Sequence, residues 1–117
     1  MDQFVPEVTE ADIERIIKRD FPLEEQENVP SIIRELEVGE KPRVVLACLK
    51  NSGGDIQKLK NNLAEAPGYY REILGEAEYP NYMKKTFHIE KLSDGEKAKI
   101  IEKDKNQYLA WLHGRSK

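Results

Sequence analysis

The residues best equipped for chemistry in this 117-residue chain are one cysteine, two histidines, 22 acids and five tyrosines. A nucleophilic cysteine works as a thiolate and wants exposure beside a cation or a helix N-terminus. Cys48 instead lies inside the apolar run Val44-Val45-Leu46-Ala47-Cys48-Leu49, toward the C-terminal end of an expected helix, and reads as core filler. His88 and His113 stand far apart, neither with a His or Cys at ligand spacing, and no His-Glu-x-x-His pattern occurs. Glu72 and Glu76 share a helical face, but a carboxylate-bridged metal site in a bundle adds a histidine three residues after a glutamate, and none follows either. They read as a solvated acidic face. Gly53-Gly54 lacks the spacing and the Lys-Ser/Thr of a phosphate loop and reads as a turn between helices. Paired carboxylates do acid–base work only in a cleft that drives their pKa values apart, and the acids here fall on polar faces. No catalytic, cofactor-binding or metal-ligating residue is therefore expected. A small enzyme would need Tyr, Glu and His gathered in one pocket.

The aromatic residues are more informative. All five tyrosines and the one tryptophan follow residue 68. Tyr70, Tyr108 and Trp111 read as core periphery with polar tips at the surface. Tyr69, Tyr79 and Tyr82 are better placed for an interface, since tyrosine, tryptophan and arginine dominate protein-binding hot spots. Together with Arg71, Glu72 and Glu78 they form the candidate partner-binding surface, polar and aromatic-lined, near a helix end. An alternative set is basic. Lys84, Lys85 and Lys91, with Lys97, Lys99 and Lys103 beyond, lie near His88, Tyr79, Tyr82 and Phe87, the ingredients of a nucleic-acid patch diluted by Glu90 and Asp94.

The elements that must position these residues are helical. Thr9 begins the first helix, with Asp12 at the third position of a capping box, Ile13, Ile16 and Ile17 on one face, and Pro22 stopping it near Phe21. A second short helix is expected from about Pro30 to Val38, ended by Gly39. The apolar run after Pro42 fits a buried strand or a buried helix, and helix is preferred because no comparable strand exists to pair with it. Ser52 or Asp55 caps the next helix, whose stripe is Ile56, Leu59, Leu63 and Ala66, so Gly53-Gly54 becomes the bend of an αα-hairpin. Pro67-Gly68 breaks the pattern. A further helix carries Tyr70, Ile73, Leu74 and Ala77 inward until Tyr79-Pro80. Ser93-Asp94-Gly95-Glu96 opens the last helix, Asp94 to His113, with Gly114 ending it and a seam of Ala98, Ile101, Lys105, Tyr108 and Leu112.

These readings predict an all-α fold, a single compact bundle of five or six short helices. Residues 1–8 are expected to form a flexible tail, 9–113 the domain and 114–117 a second tail. The expected core is Ile13, Ile17, Ile33, Leu36, Val45, Leu46, Leu49, Leu59, Leu63, Ile73, Leu74, Ile101 and Leu112. One cysteine excludes an internal disulfide framework or a multi-cysteine zinc site. No run approaches the ~18 apolar residues of a membrane span, and the acidic start has no signal-peptide pattern, so the expected location is the cytoplasm. The net charge of −3 argues against a general nucleic-acid coater. It is unevenly spread. Residues 1–40 hold 12 acids and 4 bases, whereas 41–117 hold 10 acids and 15 bases. Opposite-sign segments either pack together or offer two faces to two partners.

Ala47-Cys48-Leu49-Lys50, Gly54-Asp55, Tyr70-Arg71-Glu72-Ile73-Leu74, Ala77-Glu78-Tyr79-Pro80 and Gln107-Tyr108-Leu109-Ala110-Trp111-Leu112 occur in this order. The set resembles a family of small bacterial all-helical proteins with no assigned function, over roughly residues 30–113. The chain departs from that pattern at Tyr69, where an acid is expected, and at Lys105, where an aromatic is expected. The resemblance implies an all-helical bacterial domain and supplies no catalytic residue. The expected function is a small non-enzymatic protein-interaction or regulatory module whose partner is another protein. A nucleic-acid-associated protein using Lys84–Lys103 and a small enzyme are the alternatives.

Overall fold

Six consecutive apolar residues cannot sit on one face of a helix, so a helix built from them must be covered all round. That is the position of Val44–Leu49 in the computed structural model, which describes residues 6–84 and 91–114. The run lies in α4 (Lys41–Ser52), and its six side chains are buried. α4 is the central element. On one side it meets α1 (Glu10–Asp20), and on the other it pairs along its length with α5 (Ile56–Glu78). The remaining elements are α2 (Leu23–Gln26), α3 (Asn28–Arg34), α6 (Pro80–Lys84) and α7 (Asp94–His113). The described residues contain no strand, so the fold is an all-α bundle. The described residues form seven helical elements, two of them very short; α7 has the expected bounds, and α5 joins into one kinked helix the two that were expected on either side of Pro67-Gly68.

The helix starts follow the capping chemistry. The Thr9 N–H donates to the Asp12 carboxylate at 3.0 Å, Asp55 accepts from the N–H groups of Gln57 and Lys58, and Ser93 Oγ accepts from Glu96 N–H. The αα-hairpin turns at Gly53 (φ +60) and Gly54 (φ +86). A Cβ on Gly54 would lie 2.8 Å from the Asp20 carbonyl oxygen, so the bend is pressed against the end of α1 and admits no side chain.

Four expectations are corrected. The helix placed at Pro30–Val38 is instead α3, ending at Arg34. Beyond it Leu36 is buried, Glu37 is exposed and Val38 packs on the core, the alternation of an extended segment. Residues 1–8 are not wholly a tail, because Pro6 is buried and Val8 packs against the core. Tyr70 is exposed rather than inward. α5 kinks at Tyr69 (φ −128, ψ 26) two residues after Pro67, and the break in helical phase turns both Tyr69 and Tyr70 to solvent. The α7 seam is also rotated. Ala98 is exposed, Ile101 and Lys105 are half-buried, and the buried positions are Asp104, Tyr108 and Leu112. The other twelve expected core residues are buried.

The far end of α7 is held by α1. Arg15 donates to the Leu112 carbonyl, and Arg19 donates to the carbonyls of Trp111 and Gly114. The Arg19 guanidinium also lies 5.3 Å from the centre of the Trp111 ring. Cations thus occupy the carbonyls that a helix C-terminus leaves unpaired.

Candidate functional site

The last turn of α5 ends in Glu78, one helical turn beyond Leu74 and therefore on the inward side. Its carboxylate is fully buried. Arg43, in the first turn of α4, meets it bidentately, with Nε donating to Oε2 at 2.8 Å and Nη2 to Oε1 at 2.7 Å. Arg43 Nη1 also donates to Glu40 at 3.3 Å. Burial pushes the Glu78 carboxyl above its ordinary value, against the downward pull of Arg43, while the bond to Glu78 holds the Arg43 guanidinium firmly protonated.

Tyr79 follows at the end of α5, its N–H bonded to the Gly75 carbonyl at 2.8 Å. Its side chain is 9% exposed, and its buried hydroxyl has no hydrogen-bond partner among the described residues. Burial first, and the neighbouring Glu78 charge second, push the phenol up to about 12. The short helix α6 then starts on a carboxylate supplied from elsewhere in the chain. Buried Asp104 of α7 accepts from Asn81 N–H (3.0 Å), Asn81 Nδ2 (2.8 Å) and Tyr82 N–H (3.0 Å), a tertiary counterpart of an N-cap. Gln107 ties the same face to α5 through the Ala77 carbonyl at 3.1 Å. Lys50 of α4 is partly buried and held below its ordinary pKa by that burial, with Asp104 and Glu76 pulling the other way.

A cleft of about 290 Å³ opens over these groups. Arg43, Arg71, Leu74, Gly75, Glu78, Tyr79, Tyr82 and Met83 line it, so four of the six candidate partner-binding residues come together there. They do not all form its surface. Glu78 and Tyr79, expected to be exposed, are buried, because the end of α5 is closed over by α4 on one side and α6 on the other. Glu78 serves as the counter-ion of Arg43 and Tyr79 as a wall. Tyr82 is half-buried and Arg71 is exposed beside the Tyr70 ring, 5.8 Å from its centre. Tyr69 and Glu72 are exposed but do not line the cleft. Arg43 and Met83 were missed from the sequence. Arg43 has a signal in the sequence, as the cation that immediately precedes an apolar run, and Met83 has none. The Met83 side chain lies over Gly75, where an added Cβ would meet its sulfur at 2.2 Å.

The other candidates are placed as follows. Cys48 is buried, and desolvation pushes its thiol up to about 12. His113 is exposed at the end of α7. In the basic set, Lys91, Lys99 and Lys103 are exposed and Lys97 is half-buried, with exposed Asp94, Glu96 and Glu102 between them. Lys85, Phe87, His88, Glu90 and the Lys84 side chain lie outside the described residues. Among the described residues no three His, Cys, Asp or Glu side chains converge as a metal site, and no helix is long and apolar enough to cross a membrane. Compared with known proteins, the chain matches no family model, no curated protein and no solved structure, so the resemblance read from its sequence rests on the residues that carry it.

Proposed function

We propose that the protein is a small non-enzymatic interaction module that binds another protein at the cleft between α4, α5 and α6. One observation carries this reading. Of the four large hydrophobic residues most exposed among the described ones, three lie on the two short stretches beside or within the cleft: Tyr69 (61%), Tyr70 (39%) and Met83 (42%). Exposed aromatic and methionine surface next to an arginine is the composition of an interface centre rather than of ordinary surface. Behind it, the Arg43–Glu78 pair and the Asp104 cap fix the backbone from which Tyr82 and Met83 project. The cleft would take an apolar side chain of the partner on Leu74 and Met83, with a neighbouring carboxylate on Arg71.

A displayed-peptide selection tests this. Wild-type protein is the bait, and the Tyr70→Ala/Arg71→Glu variant, whose unchanged melting temperature confirms folding, is the counter-bait. The expected outcome is a family of sequences with an aromatic or aliphatic residue beside Asp or Glu, retained by the wild type alone. Sequences retained equally by both baits, or none enriched at all, would reject the cleft as the binding surface.

A further inference from the structure

The cleft above uses none of the acidic surface that the sequence concentrates in its first third. That surface has its own concavity. Between α3 and the N-terminal half of α5 lies a groove of about 490 Å³, within the ~300–1,000 Å³ typical of ligand-binding clefts. Ile32, Leu36, Leu63 and Pro67 contribute its apolar floor, and Glu35 and Glu37 stand on one rim with Lys60 on the other. It shares no residue with the α4–α5–α6 cleft.

Two carboxylates, Glu35 and Glu37, line this groove against one ammonium, Lys60, and the segment that supplies them is acidic throughout. Residues 22–40 hold six glutamates and a single arginine. Only Glu40 is in an ion pair, with Arg43; Glu24, Glu25, Glu27, Glu35 and Glu37 form none among the described residues. An apolar floor with two unpaired carboxylates on its rim disfavours nucleic acid and anionic lipid as occupants. It suits an amphipathic basic segment, whose apolar residues fill the floor and whose lysines or arginines reach the glutamates.

We propose that the α3–α5 groove is a second docking site, for a basic amphipathic segment of a partner protein. Its apolar anchor seats on Leu36 and Leu63, and its cations pair with Glu35 and Glu37. Lys60 is the unfavourable element in this arrangement and sets a limit on how basic the segment can be at that end.

The probe is a dye-labelled amphipathic peptide of Leu and Lys, about 14 residues or four helical turns long. A Leu/Glu peptide of the same pattern serves as the control. Binding is read by fluorescence anisotropy and by amide chemical shifts of the protein. The Leu/Lys peptide should bind with strong salt dependence and move the amides of Ile32, Leu36, Leu63 and Ala64. Glu35→Lys/Glu37→Lys should weaken it by roughly ten-fold, and Lys60→Glu should tighten it by roughly two- to five-fold. Arg71→Glu should leave it unchanged, which separates this groove from the other cleft. Three results would each overturn the proposal. These are shifts on acidic residues generally and not on the apolar floor, equal binding of the two peptides, and glutamate reversals without effect. Dimerisation in sedimentation experiments that disappears with Glu35→Lys/Glu37→Lys would assign the groove to a second copy of the chain and likewise overturn it.

Discussion

Replacing Arg43 by methionine removes the partly exposed half of an ion pair and leaves the fully buried half, Glu78, in place. Both oxygens of Glu78 take their hydrogen bonds from Arg43, at 2.8 and 2.7 Å, and the Glu78 side chain has no exposure through which water could substitute. Breaking such a pair from one side costs about 3–5 kcal/mol. For a domain whose whole stability is about 5–15 kcal/mol this is a large fraction. With a urea dependence of about 1.5–2 kcal/mol per M, the unfolding midpoint should fall by roughly 2 M. The loss should also depend on pH in a definite direction. The Glu78 carboxyl already titrates above its ordinary value of 4.5, and without Arg43 it rises further. The folded state then binds a proton that the unfolded state releases, so the variant loses stability as pH rises from 4.5 and regains part of it on acidification. The double variant Arg43→Met/Glu78→Leu removes both charges and fills the space with apolar atoms. It should unfold within about 1 kcal/mol of the wild type. Urea titrations at pH 5 and pH 7 on the three proteins measure all of this. A single variant that loses less than about 1 kcal/mol, or a double variant no more stable than the single, would refute the picture of a desolvated charge held only by its partner.

Asp104→Ala should cost about 1–3 kcal/mol, because it removes the acceptor of the part-buried N–H groups of Asn81 and Tyr82, and hydrogen exchange at those two amides should accelerate first. Gly54→Ala should cost about 2–4 kcal/mol, since strain at φ +86 adds to a 2.8 Å approach to the Asp20 carbonyl. Gly53→Ala, with open space around it, should cost only the roughly 1–2 kcal/mol of left-handed backbone, as thermal melts would show. Asp12 is held below its ordinary value of 3.8. Burial acts against its charge, but the Thr9 N–H and Arg15 outweigh it, so its contribution is present above pH 3.8 and fades as pH falls through the lower folded value. The stability gap between wild type and Asp12→Asn should therefore close in acid. Cys48 should resist maleimide in the folded protein and react on unfolding in urea, because its thiol is buried and raised to about 12.

The starts of the long helices were legible because capping is local. Thr9 with Asp12, Asp55, and Ser93 with Glu96 each carry their signal within four residues, and each begins a helix in the fold. The all-apolar α4 was legible for a different reason, since no partner strand existed to make it a sheet. The candidate site was half legible. Tyrosine and arginine near the end of α5 marked the right region, but the roles of Glu78 and Asp104 were not readable. Acids are ordinarily solvated, and a pattern that sends them to water rotates the α7 seam onto Lys105 instead of Asp104. Their partners lie 35 and about 22 residues away in sequence, so nothing local announces them. Tyr70 faces solvent rather than the core because Pro67 does not end the helix: the chain continues through a kink with shifted phase, which no local residue pattern announces.

The grip of α1 on the end of α7 joins residues separated by 97 and 92 positions. Contacts so distant in sequence gather late in folding, after the α4–α5 hairpin, whose contacts are local. They also make the first and last helices one cooperative unit. Fraying of the α7 terminus would free Arg15 and Arg19, and loosening of α1 would uncover the last carbonyls of α7. The two helices form a clasp on the hairpin, and hydrogen exchange should show the bundle opening at that clasp before the α4–α5 pair separates.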